Sequence, residues 1–389
     1  MSDSHSPGFP LSRSELAAIA PAAAAIGLRM FGLFLMLPVL APHVLAMPGG
    51  SWRVAGLAAG AYGLTQACLL FPLGWLSDQI GRRPVMIGGL LVFAAGGFVA
   101  GAAESPVMVI AGRALQGCGA ISAAALASVA DSVSERGRTA GMAVVGIGVA
   151  LSFVLAIILA GPLAAWMGVD GLLVFTGVLG LIAAAAVALS GRATKPAGSR
   201  PAAAGGLPVA LALPCLGVFG IHALLAMLFV IVPVLLAELV GIEDIWQVYL
   251  PAFALALLPA GLLIMRAHAM PRLAAVMLPV VAAAALASAW AASAGVLPLA
   301  ATLVVFFAGF CVLEAQLPAW ASGLVGAAGR GRAMGVFAVC QAVGAFAGAA
   351  AVGLAGREYG IICLGTAATA LALLAIVFFK NIDSFGEKK

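Results

Sequence analysis

Long apolar stretches constrain the fold of this chain more than any other feature. Hydrophobic residues make up 64% of the sequence and charged residues only 8%, too little charge to cover a soluble core. A helix that crosses a bilayer needs about 20 apolar residues, so the sequence predicts an all-α membrane protein with twelve transmembrane helices. The twelve segments lie near residues 15–42, 53–77, 84–103, 106–130, 139–166, 171–190, 208–237, 246–265, 272–293, 296–324, 332–355 and 359–380.

Basic residues predict the orientation of these segments. If both termini are cytosolic, fifteen Lys and Arg residues fall in cytosolic segments and only two, Arg53 and Arg357, fall in outer loops. Cytosolic loops of membrane proteins carry such an excess of Lys and Arg. We therefore expect both termini in the cytosol and the chain in the inner membrane of a bacterium.

The longest predicted cytosolic connection is the stretch 191–207. It is rich in Gly, Ala and Pro, a composition typical of a flexible linker. We expect it to separate an N-terminal six-helix bundle, residues 1–190, from a C-terminal six-helix bundle, residues 208–389. A faint repeat, in which a shift of 187 residues pairs Gly74 with Gly261, favours two pseudo-symmetric bundles.

A polar connection between the second and third segments carries the most specific motif. It reads Gly74-Trp-Leu-Ser-Asp78-Gln-Ile-Gly81-Arg82-Arg83-Pro84. We expect Asp78 to lie at the end of one helix, Gly81 to adopt a turn with φ > 0, and Pro84 to lie in the first turn of the next helix. Arg82 and Arg83 would anchor the loop to the cytosol.

The pattern GxxxDxxGRRP resembles the loop between helices 2 and 3 of major facilitator superfamily transporters, with Gln79 in place of the usual Arg. The resemblance implies two bundles that rock around a central cavity, and a conformational latch on the cytosolic side. In this latch, Asp78 and Arg82 would bond to each other, to Asp131 and to the start of helix 11. By the residues alone, the arginines could simply fix the topology. The implied latch residues are Gly74, Asp78, Gly81, Arg82, Arg83 and Asp131.

Two further motifs carry the same resemblance. The run Arg113-Ala-Leu-Gln116-Gly117-Cys-Gly119 is similar to the helix 4 motif RxxQGxG, and its glycines permit close approach of a neighbouring helix. Gly161-Pro162 resembles part of the exporter-type helix 5 motif GPxxGG, although both later glycines are replaced, which leaves the direction of transport open. The chain looks most like the YajR-like drug-exporter-type branch. Some members append a cytosolic domain after helix 12, and we expect this chain to lack it.

Four ionisable residues interrupt the apolar segments: Arg29, Arg113, His222 and Glu314. They fall in segments 1, 4, 7 and 10, and in the family that the sequence resembles these helices line the central cavity. Such residues are costly within hydrocarbon and are therefore functional candidates. The predicted substrate cavity comprises Arg29, Arg113, Gln116, His222, Glu314 and Gln341.

Proton coupling is predicted for Glu314 and His222, and the family resemblance implies it for Arg113, which could instead cap nearby backbone carbonyls. Glu314 is the only carboxylate well inside a segment, and burial favours its protonated form; an imidazole changes charge near neutral pH. Other roles stay open, because Glu314 could pair permanently with Arg29 or Arg113, and His222 could donate a single interhelical hydrogen bond.

These observations predict a secondary transporter rather than an enzyme, since the sequence contains no catalytic motif and no nucleotide-binding GxxxxGK[ST] loop. We expect proton-coupled export, by antiport, of a small amphipathic or drug-like compound. Symport of a small metabolite or organic anion is the alternative, and a non-transporting receptor or scaffold is the alternative of another class. We expect a monomer in a lipid bilayer, with a small-molecule substrate and protons as partners, and with no nucleic acid, cofactor or metal.

Overall fold

The computed structural model describes residues 11–134, 137–190, 207–241, 244–266, 272–326 and 329–386, and these residues contain helices and no strand. Most of the predicted linker, residues 191–206, lies outside the described residues, so the division into two bundles at this point stays a prediction. The helices are α1 (Arg13–Leu35), α2 (Leu40–Ala46), α3 (Trp52–Ile80), α4 (Arg82–Gly101), α5 (Pro106–Cys118), α6 (Ser122–Asp131), α7 (Arg138–Leu189), α8 (Ala212–Val240), α9 (Ile245–Met265), α10 (Leu273–Ala291), α11 (Val296–Gly323) and α12 (Arg330–Gly386).

The predicted number of membrane crossings is confirmed. Within the described residues, ten helical segments are long and apolar enough to span a bilayer, and α10 contributes a shorter apolar helix, Leu273–Ser288. The 52-residue α7 makes two crossings, because Gly168 interrupts it with a φ of 73°. Gly356 divides α12 in the same way, into two segments that are already counted among the ten. The total is twelve.

Two breaks divide segments that the sequence presents as continuous. The first helix stops at Leu35 and resumes at Leu40; Pro38 lies in this gap and cannot donate a helical hydrogen bond. The break between α5 and α6 was not expected. It lies at Gly119, where a Cβ atom would clash with the carbonyl oxygen of Gly89 on α4, so close packing between helices displaces the chain from helical geometry.

The two halves of the chain meet through small residues. At the predicted outer side, a Cβ atom at Gly56 of α3 would clash with the carbonyl oxygen of Ala349 on α12. Gly161 of α7 lies against Trp246 of α9, whose Cβ would be 2.9 Å from a Cβ at Gly161. The halves are therefore in tight contact at this side of the molecule.

Candidate functional site

The structure brings together the central residues of the predicted latch. Gly81, with φ 98° and ψ 155°, separates α3 from α4 in the predicted left-handed turn. This turn places Arg82 against Asp78, with which it forms an ion pair, and its Nε lies 3.4 Å from Oδ2 of Asp131 at the end of α6. Arg82 also donates to the Ser77 hydroxyl at 2.8 Å. One guanidinium thus joins three helix ends.

The other predicted latch residues each contact a neighbouring helix. Arg83 donates to the carbonyl oxygen of Ala188 near the end of α7. A Cβ at Gly74 would meet the Ala123 Cβ at 3.4 Å, an ordinary contact between α3 and α6. The start of α12 approaches this end of α3 through Gly335, whose Cβ would lie 2.9 Å from the ring of Phe71.

The predicted intramembrane residues form two separate clusters. The N-half cluster joins helices α1, α3, α5, α6 and α7, and the C-half cluster joins α8, α11 and α12. The N-half cluster consists of Arg29, Tyr62, Gln66, Arg113, Gln116, Ser122 and Thr176. The C-half cluster consists of His222, Glu314 and Gln341.

Two guanidinium groups lie on one aromatic ring in the N-half cluster. Arg29 and Arg113 are only 1% and 2% exposed, and their Cζ atoms lie 5.4 and 5.1 Å from the centroid of the Tyr62 ring. Such cation–π contacts stabilise a cation by roughly 0.5–2 kcal/mol. The ring position depends on Gly117 of α5, where a Cβ atom would clash with the Tyr62 carbonyl oxygen.

Uncharged groups make all the described hydrogen bonds of these arginines. Arg29 donates to Gln66 at 3.2 Å and to Ser122 at 3.4 Å. Arg113 donates to Gln116 at 2.7 Å, and the Gln116 amide in turn donates to the Thr176 hydroxyl at 2.8 Å. These bonds fix the direction of each guanidinium, but they supply no counter-charge.

Within the part of the chain that the structure describes, the N-half cluster therefore contains positive charge without a negative charge in contact with it. Neither arginine contacts a carboxylate among the residues that the structure describes. In addition, Nε of Arg29, Nε of Arg113 and the Tyr62 hydroxyl are buried without a hydrogen-bond partner. Two full positive charges and three unused polar atoms are thus enclosed in one region of the membrane-spanning part.

The C-half cluster has a different composition. Gln341 Nε2 lies 2.8 Å from His222 Nε2 and 3.1 Å from Glu314 Oε1, and His222 Nε2 lies 3.6 Å from Glu314 Oε2. His222 Nδ1 is 3.0 Å from the Val218 carbonyl oxygen. Donation from Nδ1 to this oxygen leaves Nε2 free to accept from the Gln341 amide, which assigns a neutral tautomer.

Small residues bring the C-half cluster together. The helices α8 and α12 approach so closely that a Cβ atom at Gly344 would clash with the Phe219 carbonyl oxygen, and one at Gly348 with the Ala223 carbonyl oxygen. His222 and Gln341 lie within this contact. The partners of Glu314 in the structure are His222 and Gln341, and neither Arg29 nor Arg113 is among them.

Sequence reasoning missed several members of the N-half cluster. Tyr62, Gln66 and Thr176 were not singled out, because uncharged polar residues are common in membrane helices. A signal was available for two of them: Tyr62 and Gln66 are four residues apart and therefore share one face of α3.

Comparisons with known proteins agree with this architecture. A model of the Major Facilitator Superfamily matches residues 22–349. The inner membrane transport protein YajR of Escherichia coli strain K12 is 34% identical over 331 residues, which cover 82% of this chain and 72% of YajR.

Solved structures show the same fold. A bacterial homologue of the human lysosomal transporter Spinster, in an inward-facing and occupied conformation, has a TM-score of 0.78 at 15% identity, covering 96% of this chain and 98% of that one. The nucleoside transporter NupG has a TM-score of 0.69 at 13% identity, covering 94% and 99%. The chain is thus a multi-pass membrane transporter rather than an enzyme, and it belongs to the major facilitator superfamily.

Proposed function

We propose that this protein is a proton-coupled exporter that exchanges protons for a small amphipathic compound. The observation that supports it best is the C-half cluster, in which one carboxylate, one imidazole and one amide are in mutual contact within the membrane-spanning part. Export is proposed over uptake because the sequence resembles the drug-exporter-type branch of the family. The transporter is proposed to act as a monomer in a bacterial inner membrane, with both termini in the cytosol.

The C-half cluster can hold one proton in two ways. With Glu314 ionised and His222 neutral, the Gln341 amide is within reach of both groups, at 3.1 and 2.8 Å. An added proton can reside on Glu314, which removes the negative charge, or on His222 Nε2, 3.6 Å from the carboxylate, which creates an ion pair. Either change alters the hydrogen bonds of Gln341, so protonation is communicated from α11 to α8 and α12.

Exposure supports this role for Glu314. Its side chain is 40% exposed, whereas the His222 side chain is 11% exposed; the Oε2 atom of Glu314 is itself buried and has no hydrogen-bond partner among the described residues. A carboxylate that loads and releases protons has to reach water, and a partly exposed one can do so. The latch around Arg82 is proposed to hold one conformation and to separate when the two halves rock.

The test compares two carboxylates of the same half in proteoliposomes. Under an imposed pH gradient, transport is measured for a panel of amphipathic dyes and aromatic acids, with the wild type, Glu314→Gln and the control Glu238→Gln. Glu238 is exposed and pairs with Arg357. We expect Glu314→Gln to lose gradient-driven transport while it retains substrate exchange, and Glu238→Gln to behave as the wild type.

Three results would contradict the proposal. Full gradient-driven transport by Glu314→Gln removes Glu314 as the proton site. Accumulation of substrate in the direction of proton entry supports symport in place of antiport. If no compound of the panel moves in response to the gradient, while one binds the protein, a receptor or scaffold role is supported.

A further inference from the structure

We infer that the transported compound carries an acidic group, and that Arg29, Arg113 and Tyr62 bind its oxyanion. The inference rests on the proposed transport function and names the chemical class of the substrate, a small organic acid. It depends on the N-half cluster, which the proton-coupling argument does not use.

The first step is the missing counter-charge. A guanidinium stays protonated at any physiological pH, so Arg29 and Arg113 bring two permanent positive charges into the membrane-spanning part. Removing an ion from water costs several kcal/mol unless an opposite charge compensates for it. Their partners are the neutral groups Gln66, Ser122 and Gln116 and the face of Tyr62. The compensating charge therefore has to come from outside the cluster.

Three acids of the chain that could supply a counter-charge are already engaged. Glu314 contacts His222 and Gln341 in the C-half cluster. Asp78 and Asp131 both pair with Arg82 at the helix ends. Within the described residues, no acid from α1, α3, α5, α6 or α7 contacts either buried arginine.

The second step is the set of unused polar atoms. Nε of Arg29, Nε of Arg113 and the Tyr62 hydroxyl have no partner, and each of them can donate a hydrogen bond. Both guanidinium groups lie within 5.4 Å of the same ring centroid. Guanidinium groups match the planar, bidentate geometry of carboxylates and phosphates. These donors are attached to packed helices, so little conformational freedom is lost when an oxyanion binds.

The third step is the driving force. Exchange of an incoming proton for an outgoing monovalent anion moves two charges in the direction that an inside-negative potential favours. Each of these charges gains free energy from the membrane potential as it moves. Symport of the same anion with one proton moves no net charge. An anionic substrate therefore makes antiport sensitive to the membrane potential, which a current measurement can detect.

The experiment uses matched ligands that differ in charge. Benzoate and 2-naphthoate are compared with their amides and with benzylamine, at constant ionic strength, by thermal unfolding of the purified full-length protein. We expect the acids to raise the unfolding temperature of the wild type more than the amides or the amine do. Arg29→Gln and Arg113→Gln are each expected to weaken acid binding at least about tenfold, because each removes charge-assisted hydrogen bonds. Tyr62→Phe should weaken it less, and the exposed-arginine control Arg53→Gln should not change it.

The outcomes separate this inference from the proposed function. Acids that stabilise the protein no better than their amides, or Arg29→Gln and Arg113→Gln variants that bind acids as the wild type does, would overturn the anion site. Such a result leaves proton-coupled transport of neutral compounds intact. Conversely, acid binding that persists in Glu314→Gln, together with an unaltered response to the pH gradient, supports the anion site and contradicts the proton site.

Discussion

The two polar clusters place different kinds of charge in the two halves of the molecule. The N-half cluster contains charge that does not titrate, because both of its ionic groups are guanidinium groups. The C-half cluster contains a carboxylate and an imidazole, groups whose charge depends on protonation. In the proposed exchange of a solute for a proton, the N-half cluster is assigned to the solute and the C-half cluster to the proton.

The two clusters also differ in how deeply their charged side chains are buried. Arg29, Arg113 and Gln116 are almost completely buried, whereas the Glu314 side chain is 40% exposed. A group with constant charge can be enclosed and oriented by neutral hydrogen bonds, while a titrating group has to exchange protons with water. In the proposed mechanism, the N-half cluster therefore binds the solute and the C-half cluster responds to protons, with the two halves moving as separate bodies.

The largest effect is expected from joining the two halves at the predicted outer side. A Cβ at Gly161 would lie 2.9 Å from the Trp246 Cβ, closer than the separation of about 3.5–4.5 Å found in disulfides, so the two helices have to move slightly apart to form the bond. Gly161→Cys combined with Trp246→Cys, in a background without the six native cysteines, should form a disulfide that stops transport. Transport is measured in proteoliposomes before and after oxidation.

Reduction of this disulfide and each single-cysteine variant serve as controls. Transport should return with dithiothreitol, and neither single variant should respond to the oxidant. If the oxidised protein transports at the rate of the reduced one, the halves do not separate at α7 and α9, and the comparison of two moving clusters fails.

An intermediate effect is expected from removing one constant charge. Arg29→Met replaces a buried, uncompensated cation by an apolar side chain, so the ligand-free protein should become more stable by about 1–4 kcal/mol. Acid-dependent stabilisation should be lost at the same time. Thermal unfolding in detergent, with and without benzoate, measures both quantities.

The matched control is an exposed arginine. Arg53→Met should leave the unfolding temperature nearly unchanged, since Arg53 is exposed and surface substitutions have small effects. A loss of stability in Arg29→Met would mean that the contacts with Gln66, Ser122 and Tyr62 outweigh the cost of burying the charge. The N-half cluster would then be a structural tie rather than a binding site.

Much of the fold could be predicted because its signals lie within single segments. The apolar length of each segment predicts its crossing, and Gly81 predicts the turn with φ > 0; both agree with the structure. The four intramembrane ionisable residues were found for the same reason, since a charge within an apolar run is conspicuous without any knowledge of its neighbours.

The grouping of these residues depends on information that a single segment does not contain. A sequence shows that Arg113 and Glu314 lie in membrane helices, but not how far each helix is rotated about its axis. That rotation is determined by close contacts at particular residues, such as Gly117 against Tyr62 and Gly348 against Ala223. The chain has 49 glycines, and the sequence does not distinguish those at helix contacts from those that face open space. The sequence therefore predicts the members of the two clusters but not which of them are in contact.

The smallest effect is expected from joining two helices of the same half. Cys215 on α8 and Cys340 on α12 both line a cleft of about 450 Å³ that a small oxidant can enter. In a variant that retains only these two cysteines, a disulfide between them should leave the transport rate unchanged, because α8 and α12 belong to the same predicted bundle, which is expected to move as one body. Its formation is confirmed by the loss of two hydrogens in the intact mass.

An unchanged rate would sharpen the comparison with the disulfide at positions 161 and 246. A disulfide between the two halves would stop transport, whereas a disulfide within one half would not. It would also bear on the proton site. Cys340 directly precedes Gln341, which contacts His222 on α8 at 2.8 Å. If the tether between α8 and α12 slowed transport, these helices would have to slide past each other in every cycle. The His222–Gln341 contact would then break and re-form in every cycle, instead of staying intact within a rigid C-terminal half.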